Sequence, residues 1–168
     1  MVRCFGRYAE YFGVTTLRTV ASFLLSFVLL TAVLTSATPD AGSGACALLT
    51  PTDIAKVTGL KVDNGTAGTP VPGILGKCTW TGGVRRVIVT LSDAQHMQAT
   101  IAATMKSGGT EVQGLGSKAV GIEAAPFTGG GYIVSVLDAK GGFGVSTLGG
   151  KEAGDHAIAL ARIIESRR

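Results

Sequence analysis

Residues Thr19 to Pro39 form an unbroken uncharged run in a chain of 168 residues, and Arg3, Arg7 and Arg18 stand just before it. The centre of the run, Val20 to Leu34, is apolar apart from Ser22, Ser26 and Thr31. A helix covering one side of a small core carries polar residues on its other side. This run has no such face, so it is poorly suited to a place inside the domain. It fits a secretory leader instead, with a basic start, an apolar centre of roughly 7–15 residues and a small-residue cleavage site. Thr35-Ser36-Ala37 supplies the small side chains, which places cleavage after Ala37, with Thr38 to Ala45 as a later alternative. The competing reading is an uncleaved anchor. A transmembrane helix needs about 20 apolar residues, and Thr19 to Ala37 reaches that length only by counting Thr and Ser. In both readings the arginines stay inside. The remainder is then secreted or held at the cell envelope, on the outer side of the cytoplasmic membrane. The membrane is a partner through the N-terminal segment if that segment is retained.

The chain therefore divides into a leader or anchor at 1–37, a Gly/Ser/Pro/Asp linker at 38–45 and a single globular domain at 46–168. Beyond residue 37 there are 131 residues, enough for one domain with its own core. This part holds 12 basic and 10 acidic side chains. Nucleic-acid binding calls for a clustered basic face. Arg85-Arg86 and Arg167-Arg168 are only pairs, read as solvated charges, so nucleic acid is not an expected partner. The 25 glycines are scattered among apolar runs, the mark of a turn-rich globular domain.

Cys4 precedes the apolar run, which leaves Cys46 and Cys78 in the domain. Two cysteines in an exported domain predict one disulfide. The alternatives are two unpaired buried thiols or a metal site, and the cysteines lack the C-x-x-C spacing of zinc sites.

Local signals set the order of elements. Thr50, Pro51 and Asp53 read as N-cap, first helical residue and capping-box partner, Leu49 and Ile54 as the hydrophobic staple, and Gly59 as the stop. Residues 60–77 read as an irregular edge strand and loop, with a turn at Val71-Pro72-Gly73. A strand begins at Cys78, turns at Gly82-Gly83 and returns over Arg85 to Leu91, with Val87, Val89 and Leu91 on one side and Arg86, Ile88 and Thr90 on the other. Ser92 is expected to cap a helix whose apolar stripe is Ala94, Met97, Ile101 and Met105, stopped by Gly108-Gly109. Glu111 to Ile122 is extended and broken by glycines. Tyr132 to Leu137 and Phe143 to Leu148 form a hairpin around Lys140-Gly141-Gly142. A last helix runs from Lys151 to about Ser166 with Ala153, Ala157, Leu160, Ala161 and Ile164 facing inward. Hairpin-joined strands with helices between the groups predict an α+β fold: an antiparallel sheet with helices packed on one face, in the order α-β-β-β-α-β-β-β-α.

Candidate chemistry is sparse. His96 and His156 are the only histidines, and a functional reading makes one a general base or both a metal pair. His96 lies beside the Met97 stripe, and His156 is four residues after Glu152, an ordinary helix-surface spacing. Gly114-Leu115-Gly116-Ser117-Lys118 lacks the G-x-x-x-x-G-K spacing of a phosphate loop and reads as a glycine bend. No G-x-S-x-G elbow occurs, and no two carboxylates pair at short spacing in a strand. Asn64-Gly65-Thr66 fits a glycosylation sequon but is preferred as a turn. Trp80, the only tryptophan, shares the face of Cys78. It packs beside a disulfide or provides an aromatic floor, a candidate ligand surface. No catalytic, cofactor-binding or metal residue is nominated.

Cys46-Ala-Leu-Leu-Thr50, Cys78-Thr-Trp80 and Gly114-Leu-Gly116-Ser-Lys-Ala119 together resemble the blocks of exported domains of unknown function in mycobacteria and related actinobacteria, many of them envelope lipoproteins. The resemblance covers about Cys46 to Ile164. It implies an envelope location, a Cys46–Cys78 bridge and no known catalytic residue. A lipoprotein cysteine directly follows the apolar run, whereas Cys46 lies twelve residues past Leu34, so a disulfide is the better use for it. The expected function is an exported binding or interaction module of the cell envelope, not an enzyme and without a cofactor, acting on an unidentified envelope ligand or protein. A secreted hydrolase using His96 or His156, and a membrane-anchored structural protein, are the alternatives.

Overall fold

The computed structural model describes residues 43–126, 129–150 and 152–168. The expected leader or anchor, and most of the linker, lie outside them. Among the described residues no helix is long and apolar enough to cross a membrane.

The chain opens with a single-turn helix α1 (Ser43–Cys46), then α2 (Pro51–Thr58). The α2 signals act as expected. Thr50 Oγ1 accepts from the Asp53 amide at 3.2 Å while Asp53 Oδ2 accepts from the Thr50 amide at 2.8 Å. That reciprocal pair satisfies donors the helix cannot satisfy itself. Gly59 ends the helix in the left-handed region at φ 68°. Leu49 and Ile54 are both buried.

Seven strands follow: β1 (Thr66–Gly68), β2 (Ile74–Gly82), β3 (Arg85–Ser92), β4 (Thr110–Glu111), β5 (Lys118–Glu123), β6 (Gly131–Asp138) and β7 (Gly141–Leu148). They form one antiparallel sheet in the order β1-β2-β3-β7-β6-β5-β4. One meander runs β1 to β3, a second runs β4 to β7, and the pairing of β3 with β7 joins them. Helix α3 (Ala94–Lys106) connects the meanders, and α4 (Ala153–Arg167) closes the domain. The α+β class with an antiparallel sheet is as expected.

Several local expectations shift. Gly82 pairs with Arg85, so the hairpin turn is Gly83-Val84. Asp138 pairs with Gly141, so the next turn is Ala139-Lys140. Ser92 does not cap α3, because the ladder to β7 continues through its pair with Gly142. Asp93 caps instead, its Oδ1 accepting from the His96 amide at 2.7 Å. The stretch from Glu111 to Ile122 is two strands, β4 and β5, separated by a loop. In α4 all five expected inward residues are buried. In α3 only Met97 and Ile101 are buried, and Met105 is exposed.

One larger expectation is corrected: the helices do not share a face. Paired residues on neighbouring strands share a face, and alternate residues of a strand share it too. Val89, Val145 and Val134 are in register and fully buried. On that face Trp80, Phe143 and Val136 pack with Leu49, Ile54 and the α4 residues Leu160 and Ile164. Met97 and Ile101 of α3 form a separate cluster with Val120, against which Leu137 packs. Val120 pairs with Ser135, and Leu137 with Gly142. These positions alternate with Val134, Val136 and Phe143, so α3 lies on the opposite face. A side chain at Gly142 would run into Met97, which is why α3 approaches β7 so closely. α3 packs on part of β5 to β7, α4 packs on β6 and β7 from the other side, and the main contacts of α3 do not include β1 or β2.

Candidate functional site

The expected disulfide is present, with Cys46 and Cys78 bonded and their Cα atoms 5.0 Å apart. It ties α1 to the centre of β2. Trp80, two residues on, is only 1% exposed. Gly65 crosses directly above this pair. A Cβ there would sit 2.5 Å from Cys78 Sγ and 2.7 Å from the indole. The indole is therefore sealed under the crossing chain. Trp80 as an aromatic ligand floor is corrected: it is a core residue beside the disulfide.

The structure keeps the two histidines on different helices. His96 is exposed at the start of α3, beside an open cleft of about 330 Å³ lined by Pro72, Gly73, Asp93, Gln95 and Ala99. None of these supplies a nucleophile, and Asp93 is engaged as the helix cap. His156 is half-buried on α4, its Nε2 3.6 Å from Glu152 Oε2, the expected surface pair. Among the described residues no group of three or more His, Cys, Asp or Glu is placed to hold a metal.

The loop at 114–118 is already occupied by an anion of the protein itself. The Gly116 amide donates to Glu165 Oε1 of α4 at 2.6 Å. Leu115 is buried in the main core, and Ser117 donates from both its amide and its hydroxyl to Leu137 O. The glycines thus shape a loop that docks on α4.

Arg167 and Arg168 are not unpaired charges: each has a carboxylate partner, although Arg167 stays exposed. Arg167 makes a two-pronged pair with Asp53 at 2.8 and 3.0 Å and donates to Leu48 O at 2.8 Å. This guanidinium, with help from Thr50, holds the Asp53 carboxyl well below the usual carboxylate range, and Asp53 raises the pKa of Arg167 in turn. The Arg168 side chain lies over the Phe143 ring at 5.2 Å and reaches Asp138 at 3.4 Å. The partners are distant in sequence, which hid both contacts. Arg85 and Arg86 are exposed, as expected.

Among the described residues, part of the α3 side of the sheet packs against neither buried cluster. Thr79, Ile88, Ser146, Ile133 and Ile122 are paired in succession across β2, β3, β7, β6 and β5. The next row is Thr81, Arg86, Leu148 and Gly131. Ile88, Ile122, Ile133 and Leu148 are half-buried, and none of them packs against either buried cluster. The alternation in β3 placed Ile88 opposite the valines in the sequence. The row emerges only when register joins the strands.

Compared with family models, with curated proteins and with solved structures, the chain matches none.

Proposed function

We propose that this chain is an exported binding module of the cell envelope, without catalytic activity, of the kind suggested by its resemblance to exported actinobacterial domains. The open aliphatic row on the α3 side of the sheet carries this reading. A contiguous apolar strip outside the core is a feature that interaction sites use. Several groups with chemical potential serve the fold: Asp53 and Arg167 fasten α4 to α2, Glu165 fills the glycine loop, and Asp93 caps α3. The Cys46–Cys78 bond is compatible with an oxidising compartment.

The test is capture from envelope extracts by the purified protein, compared with an Ile88→Glu variant that alters the strip and leaves both cores intact. Specific capture that the variant loses supports the reading. Substrate turnover by the wild type that disappears in His96→Ala or His156→Ala would replace it with the hydrolase reading.

A further inference from the structure

We infer that the open sheet face takes the acyl chain of an anionic amphiphile, a lipid with an acidic headgroup. The inference rests on the binding role proposed above and names its ligand class.

The size of the strip favours a single chain over a protein partner. Neighbouring strands are about 4.8 Å apart, so the row from Thr79 to Ile122 spans about 19 Å. Two or three rows deep, it offers a few hundred Å² at most, well short of the roughly 800 Å² per partner of a stable protein interface. Its chemistry is graded along its length. Ile122, Ile133 and Ile88 form an aliphatic track interrupted only by Ser146, with Leu148 alongside. At the β2–β3 end the side chains become Thr79, Thr81 and Thr90, with the exposed cations Lys77 and Arg86 on the same face. Among the described residues neither cation has an ion-pair partner. The acidic residues nearest in the backbone pattern are Asp63 beside Thr81, Glu111 beside Val120 and Glu123 next to Ile122, the last at the end of the track away from the two cations. At the other end the track meets a cleft of about 480 Å³ lined by Ser107, Thr110, Ile122, Glu123 and Tyr132. Cations and hydroxyls at one end with an apolar track leading away match the two ends of an anionic lipid. Gly144, in register between Thr90 and Ser135, leaves a notch beside the track. A Cβ there would meet only Val134 O, at 3.7 Å.

The experiment titrates the protein, purified with its native N-terminus, with monomeric lysophosphatidylglycerol. Lysophosphatidylcholine, with no net charge, is the control, and backbone amide shifts are the readout. The expected result is shifts concentrated at residues 79, 88, 133 and 146, with the anionic ligand bound about tenfold more tightly. Lys77→Glu with Arg86→Glu removes that preference. Gly144→Leu weakens both ligands about tenfold while the circular dichroism and thermal midpoint stay at their wild-type values. Shifts on the α4 face, a charge preference that survives both reversals, or a dimer that buries Ile88 would overturn the inference. Unmoved amides together with extract capture lost in Ile88→Glu overturn the lipid inference and leave the binding role standing. Unmoved amides with no capture overturn both.

Discussion

Removing Arg167 should loosen two helices through one carboxylate. Asp53 has two jobs: it completes the α2 capping box and it receives both prongs of Arg167. A helix cap contributes about 1 kcal/mol. A two-pronged pair in the interior would contribute more, but these side chains are 38% and 20% exposed. Solvent screening brings the pair down to about 1 kcal/mol. The hydrogen bond from Arg167 to Leu48 O adds about 0.5 kcal/mol. Asp53→Ala should then cost about 2 kcal/mol, Arg167→Ala about 1.5 and the double variant about 2.5, a coupling of about 1 kcal/mol. Urea unfolding followed by the fluorescence of buried Trp80 measures all three. The same pair sets an acid response. An unfolded aspartate takes up its proton near pH 3.9, whereas folded Asp53 holds its charge to lower pH because Arg167 and Thr50 bind the carboxylate. The contribution is fully present above about pH 4 and is lost as pH falls through the lower folded value. Arg167→Ala should flatten that acid loss. Additive single and double variants, or the same acid slope in wild type and Arg167→Ala, would refute the reasoning.

Other consequences are direct. Replacing Cys46 and Cys78 together by Ala opens a loop of about 33 residues and should cost about 3–4 kcal/mol in denaturant unfolding; thiol alkylation of the native protein should label neither residue. Gly65→Ala should destabilise by about 1–3 kcal/mol, because the new methyl meets Cys78 Sγ at 2.5 Å and the indole at 2.7 Å; an unchanged midpoint would show that the crossing segment is free to move away. Glu165→Gln should cost about 1 kcal/mol by replacing a charge-assisted bond to the Gly116 amide with a neutral one, and isothermal titration should detect no phosphate binding in the wild type. Leu160→Ala should cost about 2–5 kcal/mol, as expected for a fully buried side chain.

Much of the fold was legible because its signals are local. Thr50, Pro51, Asp53 and Gly59 bound α2 through contacts within a few residues, and the period of α4 marked all five of its buried positions. The alternation in β3 separated Val87 and Val89 from Ile88 and Thr90 before any partner strand was known. Turn positions slipped by a residue or two because adjacent glycines leave several registers locally acceptable, and the ladder chooses among them.

The candidate site was less legible. Arg167 finds Asp53 across 114 residues and Glu165 finds Gly116 across 49, separations that no spacing rule covers. Trp80 was placed on the right face of β2, but the segment through Gly65 that seals it off comes from an irregular stretch with no periodicity. Val134, Ser135 and Val136 in the middle of β6 are buried on both faces, and the near-continuous apolar run there was an available sign that α3 and α4 lie on opposite sides.

The sequence by itself determined most of the elements, the inward residues of α4 and the two sides of β3, because propensity, capping and side-chain period act over a few residues. Tertiary structure alone decided which face each helix covers, where the charges pair and which row of aliphatics is left outside the core. Those outcomes depend on strand register and on helices meeting the sheet from far along the chain, and a strand's alternation is the same whichever of its faces is covered.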